Sequence, residues 1–165
     1  FIDEKHRKLR FESWKKLLED YYNKNKNLKV EHIALEKSFN LKIDGIKMFG
    51  RIDRIDKHPN GDIEIIDYKT GSLKTQKEVD KNAQMTIYAL AAKKALNLEP
   101  NILSFYYVEP GKKISTERTE KDFKAIKQKI KDVIKNIKKG NFEPKPGMHC
   151  KWCDYNTLCP FAKKL

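Results

Sequence analysis

The apolar positions of this chain switch between two periods, and the switches outline its elements. From Asp3 to Asn23, Leu9, Trp14, Leu17, Leu18 and Tyr21 recur at helical spacing. The polar run Asn23-Lys24-Asn25-Lys26-Asn27 that follows predicts a loop. Three strands are then expected, over about 30–43, 46–57 and 62–69, separated by Asp44-Gly45 and Asn60-Gly61. Both dipeptides favour tight hairpin turns, so the three strands form an antiparallel meander. Residues 77–97, rich in Ala, Leu, Met and Lys, predict a helix. Ile102, Leu103, Phe105, Tyr106, Tyr107 and Val108 predict a buried strand, which Pro110-Gly111 turns toward a short strand near 113–118. A second long helix over about 120–139, ended by Gly140, carries Phe123, Ile126, Ile130, Val133, Ile134 and Ile137 as one apolar stripe. The last 25 residues hold Pro144, Pro146 and three cysteines and are expected to be irregular. The order helix, three strands, helix, strand, helix implies an α/β sandwich around a mixed sheet.

At 165 residues the chain is long enough to bury about two-thirds of its unfolded surface as one domain. We take residues 1–140 as the core of that domain and 141–165 as its cysteine-bearing tail. The net charge of +13 implies a polyanionic partner, and residues 112–139 alone carry eleven Lys or Arg against four acids. Nucleic acid suits such a surface, because each neutralised phosphate releases counterions; a solvated lysine face is the alternative. Lys124, Lys127, Lys131, Lys135 and Lys138 run beside the apolar stripe as a basic edge. No apolar run approaches a membrane span and no signal-peptide pattern opens the chain, so a cytoplasmic location is the default. Phe1 in place of Met suggests that a longer chain continues upstream.

The candidate chemistry lies in the second and third strands. Gly50-Arg51-Ile52-Asp53-Arg54-Ile55-Asp56 precedes Ile65-Ile66-Asp67-Tyr68-Lys69-Thr70-Gly71 across the Asn60-Gly61 turn. Strand side chains alternate, so Ile63, Ile65, Asp67 and Lys69 share one face. With Asp53 across the hairpin from Asp67, two carboxylates converge beside an ammonium. Such a set suits a hard divalent cation, with the lysine placed to orient or deprotonate a water. Gln84 and Tyr88 are four residues apart on the next helix and therefore share a face as well. Cys150, Cys153 and Cys159 fall within ten residues of a polar, proline-flanked segment, a spacing that suggests metal ligation. Zinc would need a fourth ligand, for which His149 is adjacent; a [4Fe–4S] cluster would need a fourth cysteine.

These paired motifs resemble the RecB-like, AddB-type branch of the PD-(D/E)XK nucleases. The resemblance covers about residues 36–159 and is strongest from Gly50 to Tyr88 and from Cys150 to Cys159. It implies a restriction-endonuclease-like αβββαβ core, with Asp53, Asp67 and the carbonyl of Tyr68 as ligands of Mg²⁺ or Mn²⁺ and Lys69 as the third catalytic group. Gln84-Met85-Thr86-Ile87-Tyr88 matches the family's Gln-x-x-x-Tyr motif, implying that Gln84 and Tyr88 support the active site or position the substrate strand. Cys-x2-Cys-x5-Cys resembles the iron–sulfur staple of this branch and of CRISPR-associated exonucleases, whose fourth cysteine lies upstream of the catalytic strands. No cysteine precedes Cys150 here, so that ligand is missing from this chain. A metal-binding histidine on an early helix is not carried onto His6, which lacks the family's glycine lead-in.

The resemblance implies a metal-dependent deoxyribonuclease, an exonuclease acting on single-stranded or frayed DNA ends in recombination, repair or CRISPR-type processing. A helicase domain or subunit is the implied partner. Two other classes stand beside it. One is a catalytically inactive nucleic-acid-binding or helicase-coupling module on the same fold. The other, a zinc-stabilised RNA-binding domain, accounts for the charge and the cysteines but not for the acid–acid–lysine hairpin.

Overall fold

Turn chemistry sets the register of the central sheet. At Asp44-Gly45 both residues adopt positive φ (47° and 85°), the conformation a two-residue hairpin requires, and Ile43 pairs directly with Ile46. The second turn is longer: His58 N donates to Asp62 O at 2.8 Å, and Gly61 enters the left-handed region at φ 92°. The computed structural model describes residues 3–162. Its elements are α1 (Glu4–Asn25), β1 (Glu31–Ile43), β2 (Ile46–Lys57), β3 (Ile63–Lys69), α2 (Gln76–Asp80), α3 (Ala83–Ala95), β4 (Pro100–Tyr107), β5 (Lys112–Thr116) and α4 (Glu120–Lys138). A short 3₁₀ turn follows at Met148–Trp152.

The strands lie in the order β1-β2-β3-β4-β5. β1, β2 and β3 form the expected antiparallel meander, β4 runs parallel to β3 after the helical crossover, and β5 returns antiparallel. This is the mixed α/β sheet with flanking helices that the element order implied. α3 packs on β1 and β4 over one face, where Ile55, Ile65, Leu103, Met85, Ala89 and Ala92 are almost completely enclosed.

Two of the expected helices differ from expectation. The helix anticipated over 77–97 is two helices, because Asn82 adopts an extended conformation (ψ 121°) and its side chain accepts from Met85 N, starting α3 anew. α2 has its own start, a capping box between Thr75 and Glu78. α1 forms as expected, yet none of its residues is fully buried. Leu17 and Tyr21 are half-buried, whereas Leu9 and Leu18 remain more than 60 % exposed. Hydrogen bonds of the Tyr21 hydroxyl, rather than an apolar stripe, join this helix to the sheet.

The chain divides into two compact units, Phe1–Lys127 and Gln128–Leu165, with the division inside α4. In the first unit α4 buries Phe123 and Ile126. In the second, Ile130 and Ile134 are half-buried, and Val133 and Ile137 are about half exposed. The tail after Gly140 is irregular apart from its 3₁₀ turn, and residues 163–165 of the expected tail lie outside the described residues. No helix among the described residues is long and apolar enough to cross a membrane.

Candidate active site

Arg54 pairs with Ile66 and Ile55 with Ile65, so the same register carried one step further sets Asp53 opposite Asp67. The direct ladder stops before that step. Instead, Asp53 Oδ2 accepts the Tyr68 N–H at 2.9 Å, a side chain standing in for a strand carbonyl. The carbonyl of Tyr68 leaves the strand on the same side as its N–H and so faces the same gap. Across β2, Glu36 of β1 sits at φ 49°, a left-handed conformation uncommon outside glycine, between the paired residues Leu35 and Lys37. The sheet is therefore irregular on both sides of Asp53.

Asp67 and Lys69 follow on β3 with one intervening residue, and Lys69 Nζ lies 2.6 Å from Asp67 Oδ2. The same ammonium donates to Gln84 Oε1 at 2.9 Å. Gln84 Nε2 in turn donates to Asp67 Oδ1 at 3.0 Å and to the Tyr88 hydroxyl at 2.9 Å. Asp67, Lys69, Gln84 and Tyr88 thus form one connected hydrogen-bonded array. Within it one lysine N–H is donated to Gln84, while the contact between the ammonium and Asp67 is an ion pair. The ammonium also lies 5.0 Å from the centre of the Phe105 ring, directly across the parallel pair from Asp67.

Burial sets the electrostatics. Asp67 is only 3 % exposed, and desolvation pushes its carboxyl above the usual carboxylate range. The Lys69 hydrogen bond and charge pull it down without cancelling that effect, while the nearby Asp53 charge raises it further. Tyr88 is likewise raised by burial, with the Asp67 and Asp53 charges adding to the shift. The site holds negative charge that its own lysine only partly balances.

Positions outside the motif hold this geometry. Gly50 leaves room for a ring: a β-carbon there would stand 2.4 Å from the tip of Phe39. Phe39 packs edge-on against Tyr88 with ring centres 6.0 Å apart, so the glycine supports the helix that carries Gln84. Arg118, just beyond β5, donates to Val79 O, Asn82 O and the Thr86 hydroxyl, satisfying carbonyls at the joint between α2 and α3. No spacing rule pointed to Arg118. The only available signal was an arginine next to an otherwise lysine-rich stretch.

The other candidate residues are not gathered into such a cluster. Lys124, Lys131 and Lys135 are exposed on α4 and Lys127 is half-buried. The iron–sulfur ligand set is not assembled. Among the described residues no three His, Cys, Asp or Glu side chains form a group able to hold a metal ion. Cys150 is buried in the 3₁₀ turn, where its sulfur accepts the Gly147 N–H at 3.4 Å, while Cys153 and Cys159 are exposed. The turn bonds Asn156 Nδ2→Cys150 O and Cys159 N→Tyr155 O shape this segment.

A model of the PD-(D/E)XK nuclease superfamily matches residues 1–160. The chain is 31% identical over 137 residues to the Gene 69 protein of Mycobacterium phage L5. That match covers 79% of this chain and 45% of the phage protein, so the chain spans less than half of its length. A solved structure described as the crystal structure of SSO0001 superposes with a TM-score of 0.49 at 22% identity, over 95% of this chain and 82% of the other.

Proposed function

Because the chain belongs to the PD-(D/E)XK nuclease superfamily, we propose that it is a metal-dependent nuclease that hydrolyses DNA phosphodiester bonds at Asp53, Asp67 and Lys69. The observation that carries this reading is the pairing register. Carried one step further, it puts two carboxylates opposite each other beside a lysine that a half-buried glutamine holds in place.

The donor set fits Mg²⁺ or Mn²⁺. Asp53, Asp67 and the carbonyl of Tyr68 supply hard oxygen atoms, and the partly unbalanced negative charge at Asp67 favours a cation. When bound, the ion supplies Lewis-acid polarisation of the scissile phosphate and acidifies water. The protein's own groups do the rest. Tyr68 N–H fixes the Asp53 carboxylate, and Gln84 fixes the Asp67 carboxylate and the Lys69 ammonium together. Lys69, ion-paired with Asp67, acts as a donor that orients the attacking water and meets the charge developing on the phosphate.

The finer reading is a RecB-like, AddB-type exonuclease working on single-stranded or frayed DNA ends. Lys124, Lys127, Lys131 and Lys135 would form the strand-binding edge, and a helicase the partner, in DNA repair or recombination in the cytoplasm. The +13 charge and the surface lysines support the nucleic-acid part of this. No step is assigned to Cys150, Cys153 or Cys159.

End-labelled single- and double-stranded DNA with Mn²⁺ tests the reading, with Lys69→Met beside the unmodified chain. We expect short products released from ends and a turnover in Lys69→Met reduced by at least about a hundredfold with binding retained. Internal cuts would exclude the exonuclease assignment. Unchanged turnover in Lys69→Met would remove the lysine from the chemistry.

A further inference from the structure

The face of the sheet turned away from Asp53, Asp67 and Lys69 lines a half-open cavity of about 320 Å³ between α1 and the strands. That is near the lower end of the range of about 300–1,000 Å³ usual for small-ligand sites. Its walls include Tyr21, Tyr68 and Tyr106, and its lining includes Lys24, Lys29 and Lys113. The three rings meet edge-to-face, with centres 5.3–5.9 Å apart.

The hydrogen-bond inventory of the cavity is lopsided. Both Asp56 oxygens accept from Arg54 at 2.6–2.9 Å, and Oδ1 also accepts from His32 at 2.9 Å. Glu64 accepts from Ser104, His58 and Lys113. The carboxylate acceptors are thus already occupied by the protein's own donors. Donors remain. The Tyr21 and Tyr68 hydroxyls lie 2.6 Å apart and each accepts from Arg54 Nη1, so one O–H serves the pair and the second has no acceptor in it. Burial and the Tyr68 hydroxyl push Tyr21 well above the usual phenol range, so its proton stays on at neutral pH. Lys24 makes one long contact, 3.5 Å to the carbonyl of Gly111. A β-carbon at Gly111, where φ is +57°, would collide with that ammonium. Lys29 makes no hydrogen bond or ion pair among the described residues. A half-open cavity with aromatic walls, surplus donors and cations at its edge suits an aromatic anion.

We propose that this cavity binds a small aromatic phosphate, of the size and chemistry of a nucleoside monophosphate, at a site separate from the catalytic face. The tyrosine rings take the base and Lys24 and Lys29 take the phosphate. The bound ligand bridges α1 and the sheet, which otherwise meet chiefly through the ring and hydroxyl of Tyr21. Nothing in this assignment depends on the nuclease reading.

Calorimetric titration of the whole chain in EDTA tests it, with dAMP, deoxyadenosine and inorganic phosphate as probes. We expect saturable one-site binding of dAMP, with deoxyadenosine and phosphate each weaker by about tenfold or more, since each keeps only half of the contacts. Lys24→Gln/Lys29→Gln should weaken dAMP by about tenfold, and Asp67→Asn should leave its affinity unchanged. dAMP should also raise the melting temperature of the unmodified chain and not that of the double variant. The proposal is overturned by absence of saturable binding at millimolar dAMP, by equal affinity for phosphate alone, or by binding lost in Asp67→Asn. Single-stranded oligonucleotide binding with the same lysine dependence, in the absence of dAMP binding, would also overturn it and make the patch a strand contact.

Discussion

Glu64 and Asp67 are three residues apart on β3, point to opposite faces of the sheet, and are both buried. Burial pushes each carboxyl upward, yet the outcomes differ. Hydrogen bonds from Lys113, Ser104 and His58 more than offset burial at Glu64 and hold it below the usual carboxylate range. Asp56, on the same face, is held down in the same way by Arg54 and His32. At Asp67 burial prevails, and the facing Asp53 adds to it. Carboxylates with a structural role are surrounded by as many donors as they can accept. The pair assigned to catalysis is under-supplied, and that shortfall is what a cation would fill. The contrast arises within two strands and only from the alternation of their side chains.

Removing an acid from each face should expose the difference most strongly. Asp56→Ala leaves the Arg54 guanidinium buried without its partner, at a cost of about 3–5 kcal/mol in urea unfolding. Neutralising Asp67 in EDTA should cost no stability, because its ionised form is disfavoured by burial. Equal losses at the two sites would erase the contrast. A smaller effect is expected from Gln84→Ala, which frees both Asp67 and Lys69 while touching neither face's packing. Its turnover should fall by about 10- to 100-fold with little change in KM, as steady-state cleavage kinetics would show. Gly50→Ala should follow, destabilising by about 1–3 kcal/mol in thermal melts as Phe39 is displaced, with a parallel fall in activity through Tyr88.

The smallest effect is on pH dependence. The folded-state pKa values of Asp56 and Glu64 are lowered. The stability they contribute is therefore complete above the ordinary carboxylate range and is lost as pH falls through their depressed values. Asp67, raised, works the other way: its contribution is complete below its ordinary value and is lost as pH rises through the raised one. In EDTA, Asp67→Asn should flatten the decline in melting temperature on the neutral side of pH 4. Glu64→Gln should flatten the fall on the acid side. Identical pH profiles for both variants would contradict the assignment of the two shifts.

The clustering of Asp67, Lys69, Gln84 and Tyr88 was legible in the sequence because its geometry is local. Alternation along β3 places Asp67 and Lys69 together, and four-residue helical spacing aligns Gln84 with Tyr88. The Asp44-Gly45 turn and the hairpin strands were equally readable, since one backbone conformation decides them. Long-range polar contacts were not readable. Arg118 reaches back to a helix joint across more than thirty residues, and Tyr21 meets Tyr68 across 47. Asn82 carried a usable signal, a capping residue inside a helical run, but the strong helix formers around it masked the break. The apolar period of α1 was real while its burial was not, because periodicity states which positions share a face and not whether anything covers it.

Asp67→Asn tests the central claim most directly, by cleavage of end-labelled DNA with Mn²⁺ alongside thermal melting in EDTA. The two-face account predicts cleavage reduced by about a thousandfold or more, with a melting temperature no lower than that of the unmodified chain. Cleavage at the unmodified rate, or a melting temperature lowered as far as in Asp56→Ala, would show that Asp67 belongs with the structural carboxylates and that the cutting site lies elsewhere.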